Sequence, residues 1–281
     1  GSEKRLDAGI TQEKLIIDGV LDEAAWKTAP GFDDLVERKP RLGTVPENRT
    51  ALKVLTDGNF LYIAAECYDL RPSEVRGRTM TRDSFSIFSD DAISVKIDPS
   101  HDHRTTFGFG MNAVGAKLDY KAVNESKFMK GFDTIWDGAA KRTEYGWSAE
   151  FKIPLAVLGF EAKDLPAKMG FNISRDHSRR SATYDWSVMP PPYTPVAAGL
   201  YGHLTIPKPD TNSDANSGVS EKEQMLKLAA KGYRFSPYVL TGFQQEPPDE
   251  GSALRNPDSI WNVGLDGSSP VGEDFTSHFT I

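Results

Sequence analysis

A site that holds a sugar ring needs flat aromatic faces for the apolar C–H sides of the ring and planar polar groups for its hydroxyls. This sequence offers both. Trp186 follows Tyr184 and Asp185 and precedes the loop Pro190-Pro191-Pro192-Tyr193, while Trp136 lies in Phe132-Asp133-Thr134-Ile135-Trp136-Asp137-Gly138, a loop-like run where a large ring is expected at the surface. Arg82 with Asp83, Asp91, Asn172 and Arg175 supply planar polar groups. Each has a plain structural reading beside the functional one. Trp186 fits a core position equally well, and an ordinary ion pair such as Arg82 with Asp91 accounts for the charged residues.

Other chemistry finds less support. Asp90, Asp91, Asp98 and Asp102 form an oxygen-rich region of the kind calcium uses, without the spacing of a helix-loop-helix calcium loop. His101 and His103 are two apart, which on a strand faces both imidazoles the same way, as zinc ligands can be. Pro99-Ser100 before them and Arg104 after make a solvated turn the simpler reading. The chain has no G-x-S-x-G elbow, no H-E-x-x-H, no P-loop and no dinucleotide fingerprint. Glycoside hydrolysis needs a placed pair of carboxylates, and no pair stands out. A non-catalytic protein is expected.

The elements that must position these residues are strands. Ala51 to Thr56 and Phe60 to Asp69 flank Asp57-Gly58, a hairpin turn signal, and the second run is apolar on both faces, as central strands are. Ile93, Val95 and Ile97 alternate with Ser94 and Lys96, giving one apolar and one polar face. Phe107, Phe109 and Met111 alternate with Thr106, Gly108 and Gly110, so one face is bare, which either lets a ligand or neighbouring backbone come close or, equally, marks a bend or bulge of the sheet. Trp147 to Ile153 repeats the alternation with Trp147 inward, and Pro154 opens a short turn ending near Gly159. Gly170 to Asp176 and Gly199 to Pro207 add two more strands. Many short strands between Gly, Pro, Asp and Asn turns make the fold all-β, a jelly-roll-like β-sandwich with a few short helices.

Composition agrees. The 281 residues are 38% hydrophobic, and a net charge of -7 opposes general phosphate binding, so nucleic acid is not an expected partner. The single cysteine, Cys67, excludes an internal disulfide and reads as a buried thiol. No apolar run reaches eighteen residues. Gly1-Ser2 has the look of a cloning remnant with no signal peptide after it, so export stays open.

One stretch organises the rest. Ile16-Ile17-Asp18-Gly19-Val20-Leu21-Asp22-Glu23-Ala24-Ala25-Trp26 reads as a strand end, a turn and a helical start, with Trp26 plugging the sandwich and Asp22 and Glu23 capping backbone N–H groups. This motif resembles the opening of family 9 carbohydrate-binding modules. Later segments follow the order expected of that family: a strand ending at Asp69, the Asp90-Asp91 strand ending at Asp98, Gly146-Trp147 through Glu150 to Pro154, Phe171-Asn172 to Arg175, and Trp186 before a final strand. The resemblance implies non-catalytic binding of a glycan or saccharide in an aromatic clamp, with Trp186 and Tyr184 near one wall. The family's other wall is a tryptophan ahead of the acidic strand; here Ser84 to Ser89 carries Phe85 and Phe88 instead. The resemblance also implies a structural calcium near the opening motif.

Met80-Thr81-Arg82-Asp83 and Phe109 to Gly115 resemble a bacterial group that joins this module to a C-terminal outer-membrane β-barrel. That implies three parts: the sandwich at 10–207, a linker with a short helix at 208–232, and the first strands of the barrel at 233–281. It also implies a periplasmic or outer-membrane setting, with the protein's own barrel as partner. The rival expectation is a plug, docking or assembly domain that keeps the fold without the sugar site.

Overall fold

Apolar side chains at every second residue make strands that bury one face, and two such faces closed on each other make the core. The computed structural model describes residues 4–129 and 132–209 with their side chains, and the backbone of strands at 234–244, 258–271 and 275–280. The chain divides into a unit at 1–217 and a unit at 218–281.

In the first unit the strands are β1 (Arg5–Asp7), β2 (Gly9–Ile10), β3 (Gly31–Phe32), β4 (Val36–Lys39), β5 (Thr50–Thr56), β6 (Phe60–Tyr68), β7 (Ala92–Asp98) and β8 (Thr105–Asn112). Then follow β9 (Lys117–Val123), β10 (Lys127–Phe128), β11 (Asp137–Thr143), β12 (Gly146–Pro154), β13 (Ala167–His177), β14 (Ala182–Asp185) and β15 (Gly202–Ile206). One sheet runs β1-β15-β13-β7-β8-β9-β10, with β14 and β4 continuing beside β13; the other runs β11-β12-β6-β5-β2, with β3 also on β5. Most pairs are antiparallel, as in a sandwich.

Between the sheets lie Ile93, Val95 and Ile97 of β7, Phe109 and Met111 of β8, and Met169, Phe171 and Ile173 of β13. They meet Leu61, Ile63, Ala65 and Cys67 of β6 and Trp147, Ala149, Phe151 and Ile153 of β12. The alternation read from sequence is therefore the sandwich interior, and burial pushes the Cys67 thiol up to about 12. The hairpin at Asp57-Gly58 forms as expected: Gly58 has φ of 88°, and Asp57 Oδ1 accepts the N–H groups of Asn59 and Phe60.

Two local expectations change. Residues 11–20 form no strand, because the N–H groups of Asp18 and Gly19 donate to Glu150 Oε2 at 3.1 and 2.9 Å and that of Ile16 to Glu23 Oε1 at 2.9 Å. Carboxylates replace a strand neighbour. The helix α1 (Ala24–Thr28) is one turn long and buries Trp26. Second, the bare face of β8 is not open: a Cβ on Gly108 would lie 2.1 Å from the Tyr120 ring, and one on Gly110 would lie 3.0 Å from Phe88. Tyr120 of β9 and Phe88, from the helical turn ahead of β7, fill it.

Lys96 points outward, yet it is buried. Its Nζ meets Ser174 Oγ, which donates in turn to Asp185 Oδ1 at 2.5 Å, and burial lowers the lysine pKa to about 8. The polar face of β7 is an interior layer of the first unit.

The second unit holds β16 (Arg234–Gln244), β17 (Asp258–Val271) and β18 (Phe275–Thr280) in one antiparallel sheet, with Val239 opposite Val263 and Gly267 opposite Phe279. The expected linker helix near 220–230 lies outside the described residues.

Candidate ligand-binding cleft

Arg82 ties three chain segments together. Its Nη2 donates to Asp119 Oδ1 at 2.8 Å, to Asp133 Oδ1 at 3.3 Å and to the Thr134 carbonyl at 3.1 Å, and its Nε donates to Asp83 Oδ2 at 3.1 Å. A planar guanidinium suits this fork of acceptors. Asp119, on β9, is buried; its Oδ1 also accepts the Trp136 indole N–H at 3.0 Å and its Oδ2 the Thr134 N–H at 2.8 Å. Burial nevertheless outweighs those donors and lifts the Asp119 pKa to about 6.

Beside this polar cluster stand exposed rings. Phe85 is 50% exposed and Phe128 45% exposed, with ring centroids 5.4 Å apart and planes at 84°. Tyr120 braces both, at 5.7 Å from Phe85 and 5.4 Å from Phe128. Together with Asp83, Leu118, Asp119, Met129, Phe132 and Asp133 they line a cleft of about 330 Å³. Aromatic faces and half-exposed carboxylates thus share one opening, which is the pairing that sugar recognition requires.

Of the residues singled out from sequence, Arg82 and Phe85 line or border this cleft and Trp136 stands behind it. Trp136 is only 3% exposed, stacked on Phe151 at 5.6 Å and edge-on to Phe109. The exposed apolar residue of its segment is Ile135. Arg82 pairs with Asp83, Asp119 and Asp133, not with Asp91.

The others lie elsewhere and are buried. Trp186 is 2% exposed, stacked on Phe32 at 4.5 Å and edge-on to Phe171 at 5.8 Å. Its rim borders a separate pocket of about 560 Å³ with Lys4, His103, Ser187 and His203. Tyr184 is fully buried in the sandwich core. Asn172 exchanges two hydrogen bonds with the Ser187 backbone, at 2.7 and 2.8 Å, and so anchors the chain after β14. Arg175 crosses the sandwich and donates to the Arg49 carbonyl at 2.9 Å, Thr50 Oγ1 at 3.0 Å and the Tyr68 carbonyl at 2.8 Å. Asp91 accepts from the Arg76 and Ser178 N–H groups at 2.7 and 3.3 Å. The strands of Asp91, Asn172 and Arg175 are neighbours, β7 against β13, but their side chains hold loops and sheets together.

The rings missed from sequence, Phe128 and Phe132, follow a turn of polar residues, and only the aromatic run 128–136 hinted at them. Asp119 sits in a strand whose alternation marks a face but not a neighbour.

The acidic residues singled out from sequence already serve the fold. Asp90 accepts the Arg78 and Thr79 N–H groups, Asp98 those of Asp102 and His103, and Asp102 those of Arg104 and Thr105. Each carboxylate closes its own loop. Among the described residues Asp69, Asp91 and His177 bring ligand atoms within 4.8 Å of one another. There the Arg179 guanidinium already lies 2.7 Å from Asp69 Oδ1, and an imidazole is no calcium ligand.

Comparison with known proteins bears on the fold and the family. A carbohydrate-binding family 9 module of Caldicellulosiruptor kristjanssonii, solved in complex with glucose, is 18% identical, with a TM-score of 0.55 over 75% of this chain and 100% of its own. The structure of a family 9 module of the same organism with cellotriose is 16% identical, TM-score 0.55, over 76% and 100%. A Bacteroides uniformis protein is 12% identical, TM-score 0.57, over 73% and 100%. These likenesses establish the sandwich fold. No curated protein sequence matches. The model of the carbohydrate family 9 binding domain-like family matches residues 17–189, well over half of the chain, and the chain belongs to that family.

Proposed function

We propose that the first unit is a non-catalytic carbohydrate-binding module whose saccharide lies in the cleft between Arg82–Phe85, β9, Phe128, Met129, Phe132 and Asp133. The observation that carries this is the juxtaposition of the half-exposed Phe85 and Phe128 rings with Asp83, Asp133 and the Arg82 guanidinium. Family membership supports it, as do similar modules that hold glucose and cellotriose. In this reading Phe85 and Phe128 stack on the sugar ring, Asp83 and Asp133 accept its hydroxyls, and Trp136 positions Asp119. Trp186, Tyr184, Asp91, Asn172 and Arg175 act through the scaffold.

The setting belongs to the same proposal: a periplasmic or outer-membrane position, with the second unit as the beginning of a β-barrel. The antiparallel sheet β16-β17-β18 supports that assignment, since barrels are built from such strands. A second reading, a docking or plug domain, is favoured by one observation. Met80, Phe85, Phe128, Met129 and Ile135 are all exposed on the segments that Arg82 joins or that flank the cleft.

Calorimetric titration of the full chain with glucose, cello-oligosaccharides and a glycan panel tests the choice. Saturable binding weakened ~10-fold by Phe85→Ala or Phe128→Ala is expected, about 1.4 kcal/mol per lost ring contact. No binding to any saccharide by the folded protein overturns the carbohydrate reading in favour of docking.

A further inference from the structure

The geometry points to a second site: an imidazole site for a borderline divalent metal ion, Zn²⁺, Ni²⁺ or Cu²⁺, formed by His101 and His203 with His103 as third ligand.

The turn after β7 carries His101 and His103, and β15 carries His203. The sheet register sets His203 opposite Gly170 and Gly170 opposite Asp98. Paired residues share a face, so Gly170 leaves a gap between β15 and the end of β7 where any other residue would carry a side chain. A Cβ there would lie 3.0 Å from that of Asp98. His101 reaches across the gap, and its Nε2 lies 2.8 Å from His203 Nδ1. The ring planes differ by only 18° with centroids 4.8 Å apart, and at this separation one ring nitrogen donates its N–H to the lone pair of the other.

Two imidazole nitrogens so aimed can share a proton or a metal ion. Tetrahedral coordination with Zn–N bonds near 2.05 Å separates the nitrogens by about 3.3 Å, so the pair must open by roughly 0.5 Å. His101 is only partly buried and stands on a turn, where that movement is small. His103 is exposed, with its ring edge-on to His101 at 4.6 Å between centroids, and a rotation of its side chain brings a third nitrogen. The pocket of about 560 Å³ lined by His103, His203, Ser187 and Tyr201 gives the ion a path and leaves room for a water ligand. Asp98 supports the turn behind the site, accepting the N–H groups of Asp102 and His103 at 3.2 and 2.8 Å. Nitrogen donors select these ions over calcium or magnesium.

The test is titration of the EDTA-stripped full chain with Zn²⁺ and Cu²⁺ by calorimetry, with Ca²⁺ as control, and electron paramagnetic resonance of the Cu²⁺ form. Saturable uptake of one ion is expected, with nitrogen couplings in the spectrum and no response to Ca²⁺. His101→Ala and His203→Ala should each weaken Zn²⁺ binding ~100-fold and remove nitrogen couplings, and His103→Ala ~10-fold. His203 is buried, so should its variant misfold by circular dichroism, His101→Ala on the half-exposed turn decides alone. Absence of saturable Zn²⁺ or Cu²⁺ uptake overturns the proposal. So does uptake with unchanged affinity and spectrum in His101→Ala, which would place the ion at another cluster such as Asp69, Asp91 and His177.

Discussion

Trp26 donates its indole N–H to Glu150 Oε1 at 3.1 Å, and through this contact the opening motif and the Gly146–Pro154 strand become one structural unit. The other oxygen of Glu150 accepts the Asp18 and Gly19 N–H groups. Two motifs more than a hundred residues apart thus share one carboxylate, which has no exposure to solvent. Glu150→Ala would leave these donors without acceptors. It is expected to destabilise the fold by about 3 kcal/mol or more, read as a lowered urea midpoint.

The same carboxylate gives stability a pH dependence. Burial raises the Glu150 pKa to about 7 from 4.5, partly opposed by its three donors, and burial raises that of Asp119 to about 6 from 3.8. The folded state therefore binds protons more tightly than the unfolded chain at both sites. Their contribution is full below about pH 4 and is lost as pH rises through 6 and 7. Urea midpoints are expected to fall between pH 4.5 and 7.5, and the fall should shrink in Glu150→Gln. A midpoint that rises over this range, alike in the wild-type chain and in Glu150→Gln, would sink the assignment.

Trp186 separates scaffold from site. Packed on Phe32 and Phe171, it is expected to cost about 3–5 kcal/mol of stability when replaced by alanine. Saccharide affinity of the protein that remains folded should be unchanged, whereas Phe85→Ala should show the reverse pattern. Loss of binding in a fully stable Trp186→Ala protein would move the site to the pocket that Trp186 borders.

Arg175 shows what a sequence conveys and what it leaves out. Alternation along β7, β8 and β12 marks their inward faces correctly, because burial against the facing sheet repeats every second residue. It says nothing of what covers the other face. Lys96 and Asn172 lie outward and are nevertheless buried, and Arg175 spans to carbonyls of the opposite sheet. Polar residues in a binding-module sequence suggest a ligand, but here backbone groups from distant segments take up their hydrogen bonds. The cleft itself was half legible. Arg82 and Phe85 precede the acidic strand, but Asp119, Phe128 and Asp133 join them only through the β8-β9-β10 pairing. Arg175→Met should cost about 1–3 kcal/mol by removing the donor to the Tyr68 carbonyl, while the Arg49 carbonyl keeps the Tyr68 N–H, with no direct effect on sugar affinity.

Gly108 links packing to binding. It pairs with Tyr120 across β8 and β9, and the tyrosine ring lies so close over its Cα that a Cβ would sit 2.1 Å from a ring carbon. That same ring braces Phe85 and Phe128. Gly108→Ala must displace the ring, since the backbone beneath it is held by both neighbouring strands. A stability loss of about 1–3 kcal/mol is expected from the overpacking. Unlike Trp186→Ala, this variant should also weaken saccharide binding, because the Phe85 and Phe128 rings lose their support. Titration of Gly108→Ala beside Tyr120→Phe distinguishes the causes: the phenylalanine variant keeps the ring and should keep the affinity. Full affinity in Gly108→Ala would mean that the ring pair is organised without Tyr120.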